Sequence, residues 1–263
     1  MENKTNWEIP NYKIEQLTPK KNKYCVCVFV INEGQKIIKQ IERMTILTQQ
    51  VDIIIADGGS TDGSLQLKHL KNYQVTALLT KNDKGKLGTQ MRMAFHWALQ
   101  QGYEGIVVID GNGKDGIEDI PAFVEKMKQG YDFVQGSRFI PGGYHENTPL
   151  SRLVGLKLVH VPAIRLASGF KYTDTTNGFR AYSSKFLSHT DVAVFRSIFD
   201  GYELHYYLAI RAATLGFKVC EIPVSRVYPS DGKVPTKISP ISGNLNVLQK
   251  LLSACFGRYN PER

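Results

Sequence analysis

The sequence of 263 residues is long enough for one large α/β domain or two small ones, and its 42% hydrophobic content can form a full-sized core. These values exclude a disordered chain, a collagen-like chain and a small disulfide-stapled protein. Lysine and arginine outnumber aspartate and glutamate by 33 to 24, which gives a formal charge of +9. This excess predicts an anionic partner: nucleic acid, nucleotide phosphates or a membrane surface.

The sequence contains no long apolar segment. Residues 1–23 lack the apolar stretch of a signal peptide, and no run reaches the roughly 18 to 20 uncharged apolar residues that a membrane-spanning helix needs. The four cysteines form no Cys-x-x-Cys pair, which favours reduced and buried thiols. We therefore expect a cytoplasmic protein that is soluble or peripheral at the inner face of the plasma membrane.

The first part of the chain alternates strands with helices. Tyr24 to Ile31 is a continuous apolar run rich in β-branched residues, which predicts a strand buried on both faces. Similar runs predict strands at Val51–Ala56, Val75–Thr80, Gly105–Ile109 and Phe133–Gln135, and helical spacing predicts helices through Ile37–Leu47, at Leu87–Gln101 and near Ile120. Such alternation indicates right-handed βαβ units and a largely parallel sheet.

After residue 140 the pattern changes. Two helices (Pro149–Ser168 and Tyr202–Leu215), one strand (Lys218–Val224) and a loop (Thr173–Arg180) are predicted there, and the last 23 residues predict a terminal amphipathic helix. No internal repeat or low-complexity linker interrupts the chain. We therefore expect an N-terminal extension (1–23), one domain (24–240, with halves 24–140 and 141–240) and a C-terminal helix (241–263).

Polar clusters follow three of the predicted strands. Asn32-Glu33, Asp57 and Asp110 stand at strand ends, and ligands of parallel sheets bind beyond those ends, so one crevice is expected to collect all three. Asp110, with Asn112 two residues later, can hold Mg²⁺ or Mn²⁺ against a diphosphate. Asp57 can accept hydrogen bonds from a nucleobase or ribose. Taken alone, the Asp-Gly-Asn-Gly sequence is better explained as turn chemistry, and Asp57 is equally ambiguous.

The joint order of the clusters is more specific than any one of them. The runs are CVFVINEG, IIIADGGSTDGS, KLGTQ, IVVIDGNGKD, GSR, DTTNGFRAY, GYELHYYL and EIPV with a downstream TK. In this order they resemble the family 2 glycosyltransferases of the GT-A fold, and within that family the dolichyl- or polyprenyl-phosphate sugar transferases. The resemblance covers roughly residues 24 to 240. It implies an α/β fold with a Rossmann-like, mainly parallel sheet flanked by helices, a donor-nucleotide half at 24–140 and an acceptor half at 141–240.

The resemblance also implies a nucleotide site. Asn32 and Glu33 match the NE of the family's first-strand motif, and Asp57 matches the first acid of its DDGSTD motif, where Gly58 takes the place of the second acid. The implied nucleotide-binding residues are Asn32, Glu33, Asp57, Lys86 and Asp110.

The implied metal site departs from the family pattern. Asp110 matches the first acid of the DAD metal motif, but Asn112 replaces the second, and Lys114 stands where the family often supplies another oxygen ligand. A neutral amide binds a divalent ion less strongly than a carboxylate does. Either Asp110, Asn112 and the donor diphosphate hold a weakly bound Mg²⁺ or Mn²⁺, which we favour, or Lys114 partly replaces the ion.

Three further positions are implied to be catalytic. Arg138 and Arg180 match basic positions near the phosphates, where guanidinium groups suit phosphate oxygens. Asp174 matches the acid of the family's D-x-T motif and is the candidate base, or the group that positions the acceptor. The alternatives are that Arg180 forms a loop-shaping salt bridge and that Asp174 and Glu203 cap or brace helices. The implied acceptor or phosphate contacts are Lys114, Glu203, Arg226 and Lys237.

Our leading hypothesis is an inverting, nucleotide-sugar-dependent glycosyltransferase with a polyprenyl-phosphate acceptor. An ionised phosphate needs no base, and the sequence lacks the Q/R-x-x-R-W motif of many hydroxyl-directed relatives. The alternatives are transfer to a sugar hydroxyl in surface polysaccharide synthesis and a non-catalytic sugar-nucleotide binding protein. Nucleic acid is not an expected partner, because the basic residues are dispersed.

A membrane surface is the other expected partner. The segment Pro149 to Lys171 mixes basic and apolar residues, as a helix lying at an anionic membrane surface does. A core-facing helix with a solvated basic face explains the same pattern.

Overall fold

The computed structural model describes residues 7–230 and 242–262, with side chains from 245 onward in the second range. The strands are β1 (Tyr12–Gln16), β2 (Tyr24–Val30), β3 (Asp52–Asp57), β4 (Ala77–Lys81), β5 (Gly105–Asp110), β6 (Phe133–Ser137), β7 (Tyr144–Glu146), β8 (Arg180–Ser183), β9 (Val219–Pro223) and β10 (Ser225–Val227). The α-helices are α1 (Gln35–Met44), α2 (Leu67–Asn72), α3 (Leu87–Gln100), α4 (Ile120–Lys128), α5 (Leu150–Gly155), α6 (Val161–Ser168), α7 (Ser184–Leu187), α8 (Glu203–Thr214) and α9 (Ser242–Cys255).

The main sheet has the order β1-β4-β3-β2-β5-β8-β6-β9 within the described residues. Its centre is parallel: β2 pairs with β3 and β5, and β3 pairs with β4. All seven residues of β2 and all six of β3 are buried, as expected for strands covered by helices on both faces. The predicted α/β fold with a mainly parallel sheet is confirmed.

Two antiparallel strands of this sheet are absent from the sequence prediction. β1 pairs with β4 at the sheet edge, and β8 lies between β5 and β6. β1 is half exposed and mixes charged with apolar residues, so it lacks the continuous apolar run of a central strand. β8 begins at Arg180, the last residue of the predicted loop, and has only four residues. The remaining predicted strands agree with the structure to within two residues at each end.

Successive residues of β2 face two separate cores. Cys25, Cys27 and Phe29 pack with residues of α3, α6, α8 and α9, whereas Val26 and Val28 pack with residues of α1, α2 and α4. The alternation follows from the pleat, which sends neighbouring side chains to opposite faces. Both faces are therefore closed, and the ends of the strands are left for a ligand.

The predicted helix at 149–168 is divided by a wide turn. α5 and α6 are joined by a π-helical turn at Leu156–His160, just before Pro162. Proline has no backbone N–H and cannot complete the normal helical hydrogen bond there, so the preceding turn widens. The segment leaves large apolar side chains exposed: Leu150, Val154, Leu158, Val159 and Leu166.

Residues from both ends of the described chain meet on one segment, 193–199. The Trp7 ring packs on Phe195 with centroids 4.1 Å apart, and Glu8 N donates to Phe195 O at 2.7 Å. From the other end, the Tyr259 ring lies 6.0 Å from Phe199, and Tyr259 O accepts from Arg196. This segment leads directly into Asp200 and α8.

Candidate functional site

Asp57 and Asp110 flank the carboxyl end of β2. In the sheet register Val30 lies opposite Asp57 on one side and Phe29 lies opposite Asp110 on the other. The two aspartates are therefore separated by two inter-strand spacings, about 10 Å. Asp57 is buried and Asp110 is partly exposed. The two aspartates therefore lie at the same end of the sheet, on either side of β2, as expected.

The loops after β2 and β3 are joined by hydrogen bonds. Asn32 has a left-handed backbone (φ 51°), its N–H donates to Ser60 Oγ at 2.9 Å, and its Oδ1 accepts from Thr61 N at 2.8 Å. Ser60 N and Oγ both donate to Asp57 Oδ1, at 2.9 and 2.6 Å. Asn32 and Asp57 thus belong to one polar unit, with Glu33 half-buried beside them.

Two glutamines tie this edge to the helices behind it. Gln90 of α3 donates to Val30 O at 2.9 Å and to Ala56 O, and so joins the ends of β2 and β3. Gln40 of α1 donates to Asp110 O at 3.0 Å and accepts from Gly113 N at 2.9 Å. Both side chains are buried, and they fix the backbone on which Asp57 and Asp110 stand.

Arg226 brings a buried positive charge to Asp110. Its Nη2 lies 3.3 Å from Asp110 Oδ2, and its Nη1 donates to both oxygens of Asp115 at 2.6 Å. Asp115 is completely buried, so its charge depends on this pairing. The backbone supports it: Asp115 and Arg226 form an antiparallel bridge, and Val227 N donates to Lys114 O at 2.9 Å.

The pKa values around Arg226 reflect burial and opposed charges. Burial lowers the pKa of Arg226, but the carboxylates of Asp115 and Asp110 outweigh it and leave the pKa raised. Burial raises the pKa of Asp115 above its usual range although Arg226 opposes the shift. Burial and the charge of Arg226 lower the pKa of Lys114. Burial raises the pKa of Tyr228, but Arg226 and other nearby arginines lower it more.

The donor set around Asp110 does not fit a divalent ion held by protein ligands. Asn112 turns its amide nitrogen toward Asp110 Oδ2 at 3.2 Å, and its oxygen accepts from Lys114 N at 3.3 Å. Asp110 is the only carboxylate in the D-G-N motif, and it already faces Arg226. Across residues 7–230 and 242–262, no cluster of three or more His, Cys, Asp and Glu side chains is arranged to hold a metal.

Asp174 and Arg138 form a buried ion pair. Arg138 donates from Nε to Asp174 Oδ2 at 2.6 Å and from Nη2 to Asp174 Oδ1 at 3.0 Å, and both side chains are almost fully buried. Asp174 also accepts from the backbone N–H groups of Thr176 and Asn177 at 3.3 Å. This carboxylate shapes the loop before β8, and its oxygens are occupied by donors; its expected role as a base or in positioning the acceptor stays a prediction.

Arg180 is placed differently from the expectation that it faces the phosphates. Its guanidinium donates to three backbone carbonyls, those of Asn177 at 2.9 Å, His205 at 2.6 Å and Thr175 at 2.9 Å. The side chain is 1% exposed. Arg180 therefore joins the loop before β8 to the first turn of α8, and it forms no salt bridge with a residue that the structure describes.

Glu203 also differs from its expected role as an acceptor or phosphate contact. It is buried, pairs with Lys250 of α9 at 2.5 Å and accepts from Asp200 N at 2.6 Å. Asp200 in turn accepts from Lys86 N at 3.0 Å and from Thr89 Oγ1 at 2.9 Å. Glu203 thus acts through Asp200 on the loop that carries the exposed Lys86. Lys237, the remaining implied contact, lies outside the described residues.

The helical segment of α5 and the π turn adds cations to the margin of this site. Arg152 Nη1 lies 3.4 Å from Tyr228 Oη, and Lys157 Nζ stands 3.7 Å from the centre of the Phe139 ring. The guanidinium of Arg138 lies 5.1 Å from the same Phe139 ring. Basic groups of the segment therefore reach the site, while Leu150 and Leu158 remain exposed.

Several residues of the site were not assigned by the sequence analysis. Asp115 and Gln90 lie inside quoted motifs, but their roles depend on partners in distant parts of the chain. The other such residues are Gln40, Arg152, Lys157, Asp200 and Tyr228.

Comparison with known proteins gives a consistent set of relatives. The family described as Glycosyl transferase family 2 matches residues 25–202. Polyprenol monophosphomannose synthase of Mycolicibacterium smegmatis is 30% identical over 203 residues, which are 76% of this chain and 76% of that protein. Undecaprenyl-phosphate mannosyltransferase of Micrococcus luteus is 29% identical over 199 residues, 74% of this chain and 80% of that protein.

Solved structures share the fold. Glucosyl-3-phosphoglycerate synthase of Mycobacterium tuberculosis, crystallised with Mn²⁺, uridine diphosphate and glucosyl-3-phosphoglycerate, matches with a TM-score of 0.62 and 18% identity. The match covers 89% of this chain and 80% of that chain. The predicted GT-A fold and the resemblance to polyprenyl-phosphate sugar transferases are confirmed.

Proposed function

Because the chain belongs to glycosyl transferase family 2, we propose that this glycosyltransferase moves a sugar from a nucleotide donor to a polyprenyl phosphate, with inversion at the anomeric carbon. The observation that carries the acceptor assignment is the 150–168 segment. It brings Arg152 and Lys157 to the site margin and exposes leucines on the same segment. A polyprenyl phosphate has the complementary chemistry, an anionic head on an apolar chain.

The donor occupies the donor edge, by which we mean the carboxyl ends of β2, β3 and β5 and the loops that follow them. In this proposal Asn32, Glu33 and Asp57 contact the nucleoside, and the diphosphate lies toward Asp110, with Lys86 approaching from the loop before α3. One relative is named a monophosphomannose synthase and another a mannosyltransferase, and the solved neighbour was crystallised with uridine diphosphate. These names support a nucleoside diphosphate sugar as donor and leave its base and sugar open.

Transfer to a phosphate requires no general base. An ionised phosphate oxygen attacks the anomeric carbon, the bond from that carbon to the diphosphate oxygen breaks, and the nucleoside diphosphate leaves with the electron pair. No proton has to move. The occupied carboxylate of Asp174 supports this course, because a sugar hydroxyl acceptor would need a carboxylate that can take its proton. Fixed cations near Asp110 and Arg138 stabilise the charge that develops.

An anionic membrane surface is part of the proposal. The described residues contain no helix that is long and apolar enough to cross a membrane. Leu158 is 72% exposed and Leu166 is 89% exposed, and the basic side chains of Arg152, Lys157 and Arg165 lie on the same segment. Helices of this composition lie in the interface plane, with leucines toward acyl chains and basic groups toward head groups.

The function is tested by transfer from radiolabelled nucleotide sugars to undecaprenyl phosphate, followed by extraction into organic solvent. We expect label in the organic phase, and its loss in the Asp57→Ala and Asp110→Ala variants. Asp191→Ala, which changes an exposed aspartate outside the site, is the matched control and should transfer normally. When undecaprenyl phosphate and a polysaccharide acceptor are offered together, label that appears only in water-soluble glycan would contradict the lipid-phosphate assignment.

A further inference from the structure

Two fixed cations stand where the Asp110 loop meets β10. Arg226 lies 3.3 Å from Asp110 and is paired with Asp115, and the ammonium of Lys114 stands 5.2 Å from the centre of the Tyr228 ring. Two carboxylates (Asp110, Asp115) and two cations (Lys114, Arg226) sum to zero charge. Two carboxylates and one divalent ion give the same balance. The protein's own side chains therefore already supply the positive charge that an ion would bring.

The geometry keeps these cations in place. Arg226 Nη1 bonds to both oxygens of Asp115 and so anchors the guanidinium, and the backbone bridge between these residues fixes the two chain segments. Lys114 is buried beneath Tyr228, whose ring also contacts Arg226. Preorganised cations bind an anion without the cost of ordering flexible side chains.

The same loop is unsuited to a divalent ion. Asn112 directs its NH₂ group at Asp110, and its oxygen is bonded to the Lys114 backbone. An ion placed at Asp110 would also lie close to the Arg226 guanidinium, and like charges repel.

We propose that Arg226 and Lys114 bind the diphosphate of the donor in place of a divalent cation, so that nucleoside diphosphates bind this chain without metal. This inference rests on the proposed function, since it concerns the same donor. Arg226 presents a planar fork to phosphate oxygens, and Lys114 contributes a point charge. The diphosphate displaces the weak 3.3 Å contact to Asp110 and leaves the Asp115 pair intact.

The test is calorimetric titration of the full chain with uridine, guanosine, adenosine, cytidine and thymidine diphosphates, in excess EDTA and again in Mn²⁺. We expect at least one of them to bind in EDTA with a dissociation constant within about threefold of that in Mn²⁺, a difference of less than about 1 kcal/mol. Binding only in Mn²⁺ overturns the inference and leaves the proposed function standing. Binding of none under either condition overturns both.

Two variants locate the effect. Lys114→Met should weaken nucleoside diphosphate binding in EDTA by about tenfold or more, since it removes a charge-assisted contact. Lys68→Met, at an exposed lysine of α2, is the matched control and should bind as the wild type does. The double variant Asn112→Asp/Lys114→Gln makes the loop more acidic, and it should bind nucleoside diphosphates more tightly in Mn²⁺ than in EDTA. Unchanged binding by Lys114→Met in EDTA overturns the assignment.

Discussion

The donor edge and the 150–168 segment are built from different interactions. At the donor edge, buried Gln40 and Gln90 hold the strand ends through hydrogen bonds to the backbone, and Asn32 and Ser60 join neighbouring loops. The 150–168 segment instead presents basic groups that contact aromatic rings, with exposed leucines around a widened turn. The strand ends of the proposed donor site are therefore held by the protein's own hydrogen bonds, whereas the other segment exposes apolar side chains that the proposed function places at a lipid surface.

The largest expected effect comes from breaking the buried charge pair beside the donor edge. Arg226→Met leaves the buried carboxyl group of Asp115 without its main partner, so the free energy of unfolding should fall by about 3–5 kcal/mol. Chemical denaturation measures this loss. Adding Asp115→Asn should recover most of the stability without recovering transfer. A loss below about 1 kcal/mol for the single variant would show that Asp115 is neutral or solvated.

The next effect concerns Gln90, which joins the ends of β2 and β3. Gln90→Leu removes a buried donor from the carbonyls of Val30 and Ala56, of which Val30 O keeps its bond from Gly58 N at 2.8 Å, so the free energy of unfolding should fall by about 1–2 kcal/mol. The displaced strand ends should raise KM for the donor and leave KM for the lipid acceptor unchanged. Steady-state kinetics with each substrate varied separates the two. Gln101→Leu, at the exposed end of α3, is the control.

The converse effect is expected from the 150–168 segment. Leu158→Ser changes a side chain that is 72% exposed, so stability should stay within about 0.5 kcal/mol of the wild type. Loss of its insertion into lipid, about 1.5 kcal/mol, should lower kcat/KM for undecaprenyl phosphate in anionic vesicles by about tenfold. Donor KM should not change. Leu67→Ser, on α2, is the matched control, and equal effects of both variants would count against a specific membrane-facing segment.

The smallest effect is a pH dependence at the loop that carries Lys86. Burial raises the pKa of Asp200, but hydrogen bonds from the Lys86 backbone and Thr89 and the charge of Lys250 lower it more. A carboxylate with a lowered pKa stabilises the fold above the unfolded-state value and loses that contribution as the pH falls below about 4. Denaturation from pH 7 to pH 3 should therefore show a steeper loss for the wild type than for Asp200→Asn. Parallel curves would mean that Asp200 contributes nothing.

The central strands and the two aspartates could be predicted because their signals are local. A continuous β-branched run predicts a buried strand, and Asp57 and Asp110 stand at the ends of such runs. β1 was missed because it is an exposed edge strand. β8 was missed because it begins with Arg180, a charged residue whose burial depends on hydrogen bonds to backbone carbonyls.

The partners of the site residues were beyond local reasoning. Arg226 and Asp115 are 111 positions apart, and Arg138 and Asp174 are 36 apart. Sequence motifs indicated Arg226, Arg138 and Asp174 but not Asp115, and they gave no means of knowing which charge would neutralise which. This is why Arg180 was expected at the phosphates although three of its donors bond to backbone carbonyls, and why Asp174 was expected to be a base or to position the acceptor.

The meeting of both chain ends on segment 193–199 has a practical consequence for quality control of the protein. Glu8 and Tyr259 anchor the segment that leads into Asp200, and Asp200 holds the backbone of Lys86. Proteolysis that removes either anchor would loosen the loop that carries Lys86 and leave the residues proposed to contact the sugar nucleotide in place. Preparations that have lost a few terminal residues should therefore look folded by circular dichroism yet retain nucleotide poorly.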